Sequence, residues 1–216
     1  MYIPRINEIT DWNEIVKFVA DIRAANLISV DNQGVPVATL MPCLWNTADI
    51  KDDTFGTLLV HMARANKQWR SIKDGATGLA IFQGPQAYIS PSNYEEKSLT
   101  GEVVPTWNYS AVHLSGPLTI SHDRAYLRKI VTDLSNYHES SRADPWDVAT
   151  VPEKYMLSEL EGIVAVTMQV IKVEAKSKMS QNKTHSDQVR IIKDLESSSR
   201  AEESAVAHYM QERSKS

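Results

Sequence analysis

Apolar and polar positions change rhythm several times along the chain. Over residues 11–26, Ile15, Val16, Val19 and Ile22 share one face at a helical period. Asp11 stands before them as a cap with Glu14 three residues on, and Asn26 is a stop signal, so an amphipathic helix is expected. "LISV", "DNQG" and "VPVATLM" read as strand, turn and strand, with Pro36 placing the second strand's start at an edge or bulge. Residues 57–62 have strand character and pass into a helix that begins near Ala65. "TGLAIFQGPQAYISP" predicts two short strands broken at Gly84-Pro85, and "SNYEEKSLTGE" predicts a polar loop.

The run "VVPTWNYSAVHLSG" (103–116) predicts a long strand that Gly116-Pro117 turns into "LTIS". A second amphipathic helix follows in "DRAYLRKIVTDLSNYH", where Leu127, Ile130, Val131, Leu134 and Tyr137 share a face. A short helix is expected around residues 155–160. "GIVAVTMQVIKVEA" is the strongest strand signal, with Val164, Val166, Met168 and Val170 alternating. The tail from Asp187 is polar and helical, with a break at "ESSSRAEES". About seven strands with few helices between them, and no regular βαβ alternation, predict a mostly β chain with flanking helices (α+β), an antiparallel barrel with helices packed outside.

Composition narrows the function. The 216 residues carry a formal net charge of -4, so no concentrated basic face for nucleic acid is implied. The single cysteine, Cys43, cannot form an internal disulfide. No apolar run approaches the roughly 20 residues that span a bilayer, and the start "MYIPRINEITDW" has no apolar leader core. A soluble, cytoplasmic protein with no membrane partner is expected. GxGxxG, GxxxxGK[ST], HExxH and GxSxG are all missing, and His61 and His113 belong to no zinc-spaced cluster.

Four stretches hold uncommon polar chemistry. In "HMARANKQWR" (61–70), Arg64, Asn66 and Lys67 stand where a strand passes into a helix. Unpaired amides at a helix start, beside a planar guanidinium, suit a phosphate, and a solvated helix start explains the same residues. "QGPQAYISP" and "VPTWNYSAVH" supply Tyr88, Trp107 and Tyr109, rings that either fill the barrel core or face a flat ligand. Asn108 between two rings argues for the ligand, because a buried amide needs partners. In "KMSQN" (178–182), Lys178, Ser180 and Asn182 have the groups to hydrogen-bond a ligand's polar edge, and a solvated loop is the alternative.

Taken together, "GTLLVHMARANKQW", "AIFQGPQAYISPSNY", "VVPTWNYSAVHLSG" and "KMSQN" resemble the hallmark segments of the PaiB-like proteins, the FMN-binding negative transcriptional regulators. "MYIP" and "PVATLMP" (36–42) extend the resemblance to nearly the whole chain up to Asn182. It implies an FMN-binding split β-barrel over residues 1–182, with 183–216 as a C-terminal helical extension. It also implies a homodimer with FMN at the interface, in a family whose best-known members are linked to repression of protease and sporulation genes. The cofactor-binding residues it implies are Thr39, His61, Arg64, Asn66, Lys67, Tyr88, Trp107, Asn108, Lys178, Ser180 and Asn182. Two departures are visible: Val60 stands where many relatives have Gly, and Lys67 where Pro is common.

Three functions compete. One is an FMN-binding transcriptional regulator, for which the basic residues Lys183, Arg190, Lys193, Arg200, Arg213 and Lys215 are the only DNA-facing candidates, diluted by Asp187, Asp194, Glu196, Glu202 and Glu203. The second is an FMN-dependent oxidoreductase acting on a small substrate, since the flavin itself carries the redox chemistry. The third is a haem-binding split barrel, with His61 or His113 as axial ligand.

Overall fold

The computed structural model describes residues 1–51 and 53–213; Lys215, one of the basic residues of the tail, lies outside them. Two compact units divide the chain. The first comprises Met1–Ile15, Gln83–Val112 and the chain from Ala175 onward; the second comprises Val16–Phe82 and His113–Glu174. The strands are β1 (Ala24–Val30), β2 (Pro36–Pro42), β3 (Leu44–Asn46), β4 (Thr57–Ala63), β5 (Thr77–Ile89), β6 (Thr106–Ser121), β7 (Ile163–Gln169) and β8 (Lys172–Lys178). The helices are α1 (Trp12–Ile22), α2 (Gln68–Ser71), α3 (Glu96–Leu99), α4 (Arg124–Glu139), α5 (Glu153–Glu161), α6 (His185–Glu196) and α7 (Ala201–Arg213).

The strands run in the order β2-β1-β5-β6-β7-β4-β3, with β8 paired to β6. In the second unit β1 is antiparallel to β2 and β5, and β4 to β3 and β7, with Leu58, Val60 and Met62 opposite Met168, Val166 and Val164. Leu58, Val60 and Met62 are fully buried, as the alternation of an apolar strand face requires. Helix α4 begins at Asp123, whose carboxylate accepts from the Tyr126 amide at 2.7 Å, a standard N-cap. Its Leu127, Ile130 and Leu134 pack with Met156 and Leu160 of α5 and Ala165 of β7.

The first unit has its own core. Ala87 and Ile89 from β5 cluster with Tyr94 and Met179, with Ile191 and Leu195 of α6, and with Val206, Ala207 and Met210 of α7. Asp187 in the first turn of α6 is buried, and its carboxylate accepts from the Glu95 amide at 3.0 Å and from Arg190. Burial pushes its pKa up, yet these donors outweigh burial and hold it below the ordinary carboxylate value. The stretch "SNYEEKSLTGE" is therefore pinned and carries α3, where a polar loop was expected.

Several boundaries differ from the sequence expectation. Helix α1 stops at Ile22 because Arg23 takes a left-handed φ of 64°, and β1 starts directly afterwards. Gly84-Pro85 does not break β5, which runs for 13 residues. Proline removes one donor but keeps an extended φ, so a strand continues where that N–H is not required. The "GIVAVTMQVIKVEA" run is two strands, parted at Val170-Ile171. There the Val170 amide donates to Gly56 O and the Ile171 amide to Ser115 O, both at 2.9 Å, so the backbone changes partners. The short β3 has no period to read, which brings the count to eight.

Gly116-Pro117 does not end β6 either; the strand continues to Ser121. A Cβ at Gly116 would stand 1.8 Å from the Gln169 carbonyl oxygen, so glycine here permits a close approach of β6 to β7. Gly116→Ala is therefore expected to lower stability by about 1–3 kcal/mol or more, as overpacking does. Urea unfolding checks this: a midpoint equal to the parent protein would show that the neighbouring backbone yields freely.

Candidate functional site

The strand-to-helix corner of the second unit is organised by a residue that the sequence pattern did not single out. Gln68, only 3% exposed, opens the single-turn helix α2. Its amide nitrogen donates to Leu27 O (3.0 Å), Ser29 Oγ (3.1 Å) and Val37 O (3.0 Å). Thr39 Oγ1 donates to Gln68 Oε1 at 2.6 Å, and Asn66 Nδ2 donates to Thr39 Oγ1 at 3.1 Å. Asn66 Oδ1 accepts from the Gln68 backbone amide at 3.0 Å. Thr39 and Asn66 thus tie β1 and β2 to the corner. Lys67 is exposed beside them.

Arg64 is also engaged. Its Nε donates to Glu161 O at 2.7 Å and its Nη2 to Ile163 O at 3.1 Å, while Nη1 lies 3.5 Å from His122 Nδ1. The guanidinium therefore holds the turn between α5 and β7. Trp69 completes the corner: its indole N–H donates to Arg64 O at 3.1 Å and its ring meets His122 edge-on at 5.3 Å. His61 lies apart from this network, on the face of β4 covered by α4, and burial pushes its pKa down. His113 is half-buried on β6.

In the first unit a cavity of about 180 Å³ gathers Tyr94, Thr106, Asn108, Lys178, Ser180, Asn182 and Lys183. Asn108 is fully buried at its base; its Oδ1 accepts from Ser180 Oγ at 3.1 Å, and its Nδ2 meets Met210 Sδ at 3.7 Å. Ser180 has a left-handed φ of 61°, unusual for a residue with a side chain. That kink turns the chain so that Lys178, Asn182 and Lys183 all border one space. Lys178 Nζ donates to Thr106 Oγ1 and, at 2.8 Å, to Trp107 O. Burial, then the charge of Lys176, pushes the Lys178 pKa down; an anion beside it would offset that penalty on the ammonium. Lys183 Nζ stands 3.9 Å from the Tyr94 ring centroid. The Tyr94 hydroxyl is buried with no hydrogen-bond partner among the described residues.

The ring-bearing strand divides its side chains between two faces. Asn108 points to the cavity, whereas Trp107 is 46% exposed and donates its indole N–H to Gln86 Oε1 at 3.0 Å. Tyr88 is 48% exposed. Neither ring fills the core, so that reading of them is corrected. Tyr109 hydroxyl accepts from Lys176 Nζ at 2.5 Å; this buried lysine also donates to Tyr2 O at 3.1 Å. Of the expected site residues, Asn108, Lys178, Ser180 and Asn182 share the cavity. Thr39 and Asn66 share the Gln68 network, and Tyr88 and Trp107 line neither.

The Gln68 network yields a prediction. Gln68→Ala leaves three buried acceptors and the Thr39 hydroxyl without their partner, at about 1–3 kcal/mol for each group that water cannot reach. A melting temperature within a degree or two of the parent would show that the amide is dispensable.

The comparisons agree with this architecture. The profile of the family described as "Putative FMN-binding domain" matches residues 1–172. The chain is 33% identical over 217 residues to "Protease synthase and sporulation protein PAI 2" of Bacillus subtilis, covering 100% of this chain and 99% of that protein. Among solved structures it resembles the FAD and heme binding protein from Mycobacterium smegmatis, 13% identical with a TM-score of 0.58 over 85% of this chain and 78% of the other. It also resembles the flavocytochrome Anf3 from Azotobacter vinelandii, 12% identical with a TM-score of 0.56 over 82% and 72%. The fold is the split-barrel class: an antiparallel eight-stranded sheet with flanking helices, not closed. By its sequence over residues 1–172, and by its full-length relation to the Bacillus protein, this chain belongs to the FMN-binding domain family of PaiB.

Proposed function

We propose that the chain binds FMN, with the phosphate end of the flavin in the cavity of Lys178, Ser180, Asn182 and Lys183, and that it acts as a cytoplasmic transcriptional regulator of the PaiB type. The observation that carries this is the gathering of two lysines with the hydrogen-bonded Asn108 and Ser180 around one polar cavity. A phosphate offers two negative charges and several acceptors, which suits ammonium groups, hydroxyls and an amide. Arg64 is a weaker choice for that phosphate, because its guanidinium nitrogens already meet Glu161 O, Ile163 O and His122. When bound, FMN supplies the redox-active ring system. The chain's own residues hold the phosphate and fix its orientation.

Size supports an interface. The cavity of about 180 Å³ slightly exceeds the roughly 150 Å³ that accepts one benzene ring. It admits a phosphate and part of the ribityl chain, not three fused rings. The rings would then lie on exposed surface, which a second copy of the chain can cover. Leu99 (71% exposed), Val104 (75%), Tyr88 and Trp107 supply apolar surface of the kind that dimers bury.

Direct DNA binding has less support. Arg190 pairs with Asp187, Arg200 with Glu203 and Arg213 with Glu14, so three of the tail's six cations are engaged by carboxylates of the chain itself. Regulation through a protein partner or a flavin-dependent change in assembly fits better. Bleaching of bound flavin by NAD(P)H would favour the oxidoreductase reading instead.

Two outcomes are expected. Lys178→Ala should weaken FMN by about ten- to a hundredfold, the range of a lost charge-assisted hydrogen bond, while riboflavin, which lacks the phosphate, changes little. Equal losses for both ligands would remove Lys178 from the phosphate site. Light scattering of the flavin-loaded protein should give twice the formula mass of 24.2 kDa. A monomer that retains FMN would overturn the shared site.

A further inference from the structure

The cavity of Lys178 and Lys183 depends on a carboxylate that lies outside its lining. Tyr94 forms one wall, and the ammonium of Lys183 stands over the Tyr94 ring, 3.9 Å from its centroid. Among the described residues no carboxylate pairs with that ammonium, so the electron-rich face of the ring is what fixes it. A lysine carries its charge on a flexible stem and otherwise turns it to water. The place of the ring therefore decides whether the Lys183 ammonium stays at the cavity.

The ring is held in turn from α6. The amide of Glu95, the next residue, donates to Asp187 Oδ1 at 3.0 Å, and Asp187 is buried. Thr184 caps α6, its Oγ1 accepting from the Asp187 amide at 3.2 Å. In a capping box the side chain at the Asp187 position turns back to the amide of the cap residue. Here it reaches across to a loop that lies 92 positions earlier. Arg190, one turn on, pairs with Asp187, donates from Nε to Asn93 O at 2.9 Å and lies 3.7 Å from Glu95 Oε2. Asn93 Nδ2 donates to Asp194 Oδ2 at 2.9 Å. Residues on both sides of Tyr94 are thus clasped to α6. Because Arg190 compensates its charge, the Asp187 carboxylate offers little opposition to an anion in the cavity.

We propose that Asp187 is a positioning residue of this anion site: it pins the Glu95 amide, the pinned segment sets the Tyr94 ring, and the ring sets the Lys183 ammonium at the cavity. This role presupposes the FMN phosphate in that cavity. Affinity for the phosphate then depends on a carboxylate that does not line the site. Opening the clasp frees Lys183 and weakens the hold on the phosphate, while contacts to the flavin rings stay as they are.

The test titrates the full-length protein with FMN and with riboflavin, followed by flavin fluorescence. The ratio of the two dissociation constants is the readout, because a general loosening of the fold weakens both ligands alike. Lys183→Ala should weaken FMN about tenfold and riboflavin by less than about twofold. Asp187→Ala should weaken FMN about fivefold or more with riboflavin unchanged. Asp187→Asn keeps an acceptor oxygen for the Glu95 amide and should stay within about twofold of the parent for both. The double variant of Asp187→Ala with Lys183→Ala should bind FMN no more weakly than Lys183→Ala alone, since Asp187 acts through that lysine. Tyr94→Leu removes the ring but keeps an apolar residue in the core; it should match Asp187→Ala and decides the matter if Asp187→Ala does not fold. A parent-like FMN-to-riboflavin ratio in Tyr94→Leu or folded Asp187→Ala, additive losses in the double variant, or an asparagine variant as weak as the alanine one would each overturn the proposal. Lys178→Ala separates this role from the placing of the phosphate. A selective FMN loss there, with none in the Asp187 and Tyr94 variants, overturns the positioning role alone. Equal losses of FMN and riboflavin in both lysine variants overturn the phosphate site and the positioning role with it.

Discussion

A buried amide must find partners, and in this protein the amide of Asn108 determines the site around it. Asn108 is fully buried on β6, and its oxygen accepts from the hydroxyl of Ser180. Ser180 in turn is held in a left-handed conformation that costs a residue with a side chain about 1–2 kcal/mol. The hydrogen bond and the burial of Ser180 offset that cost. The Lys183 amide closes the turn on Ser180 O at 3.0 Å. Without this turn, Lys178 at the end of β8 and Lys183 before α6 would have no reason to border one cavity.

The period of two along β6 then distributes chemistry between faces. Asn108 and Ser110 point inward and are fully buried, while Trp107 and Tyr109 point the other way. The strand therefore offers a hydrogen-bonding floor to the cavity and, on its other face, a ring that joins Gln86 near the surface. A side chain one position away from a site residue belongs to a different environment. Lys176 shows the same logic on the neighbouring strand: it is buried, satisfied by Tyr109 and the Tyr2 carbonyl, and lies over the Tyr109 ring at 4.7 Å. Lys178, two residues on, is the lysine that lines the cavity.

The second unit uses polar residues for construction. Arg64 holds the carbonyls of the α5–β7 turn, and Gln68 joins β1, β2 and α2 through five hydrogen-bonded groups. A buried glutamine of this kind fixes register, because sliding either strand by one residue would exchange its carbonyl partners. Polar residues that look like ligand contacts in a linear motif are here the framework that makes the corner rigid. His61 and His138 stand outside this framework: each keeps one buried ring nitrogen without a hydrogen-bond partner among the described residues.

The sequence by itself determined the class of fold. The helical faces of α1 and α4, the alternation in β7 and the lack of βαβ alternation all follow from local side-chain period, and they survive in the structure. It also marked Asn108, an amide between two rings, and Lys178, Ser180 and Asn182, a short polar run after the strongest strand signal. Tertiary structure decided what those residues meet. Whether Gly84-Pro85 and Gly116-Pro117 end strands depends on which backbone groups face a partner, and the Gly116 approach to Gln169 is set by a strand some fifty positions away. The same holds for Arg64: a guanidinium beside a helix start reads as an anion seat until the carbonyls of Glu161 and Ile163 arrive from α5 and β7. Gln68 gave no signal because an amide in a short polar run looks solvated, and only long-range packing buries it. Local period is encoded in neighbouring residues; partners of polar groups are encoded in the fold.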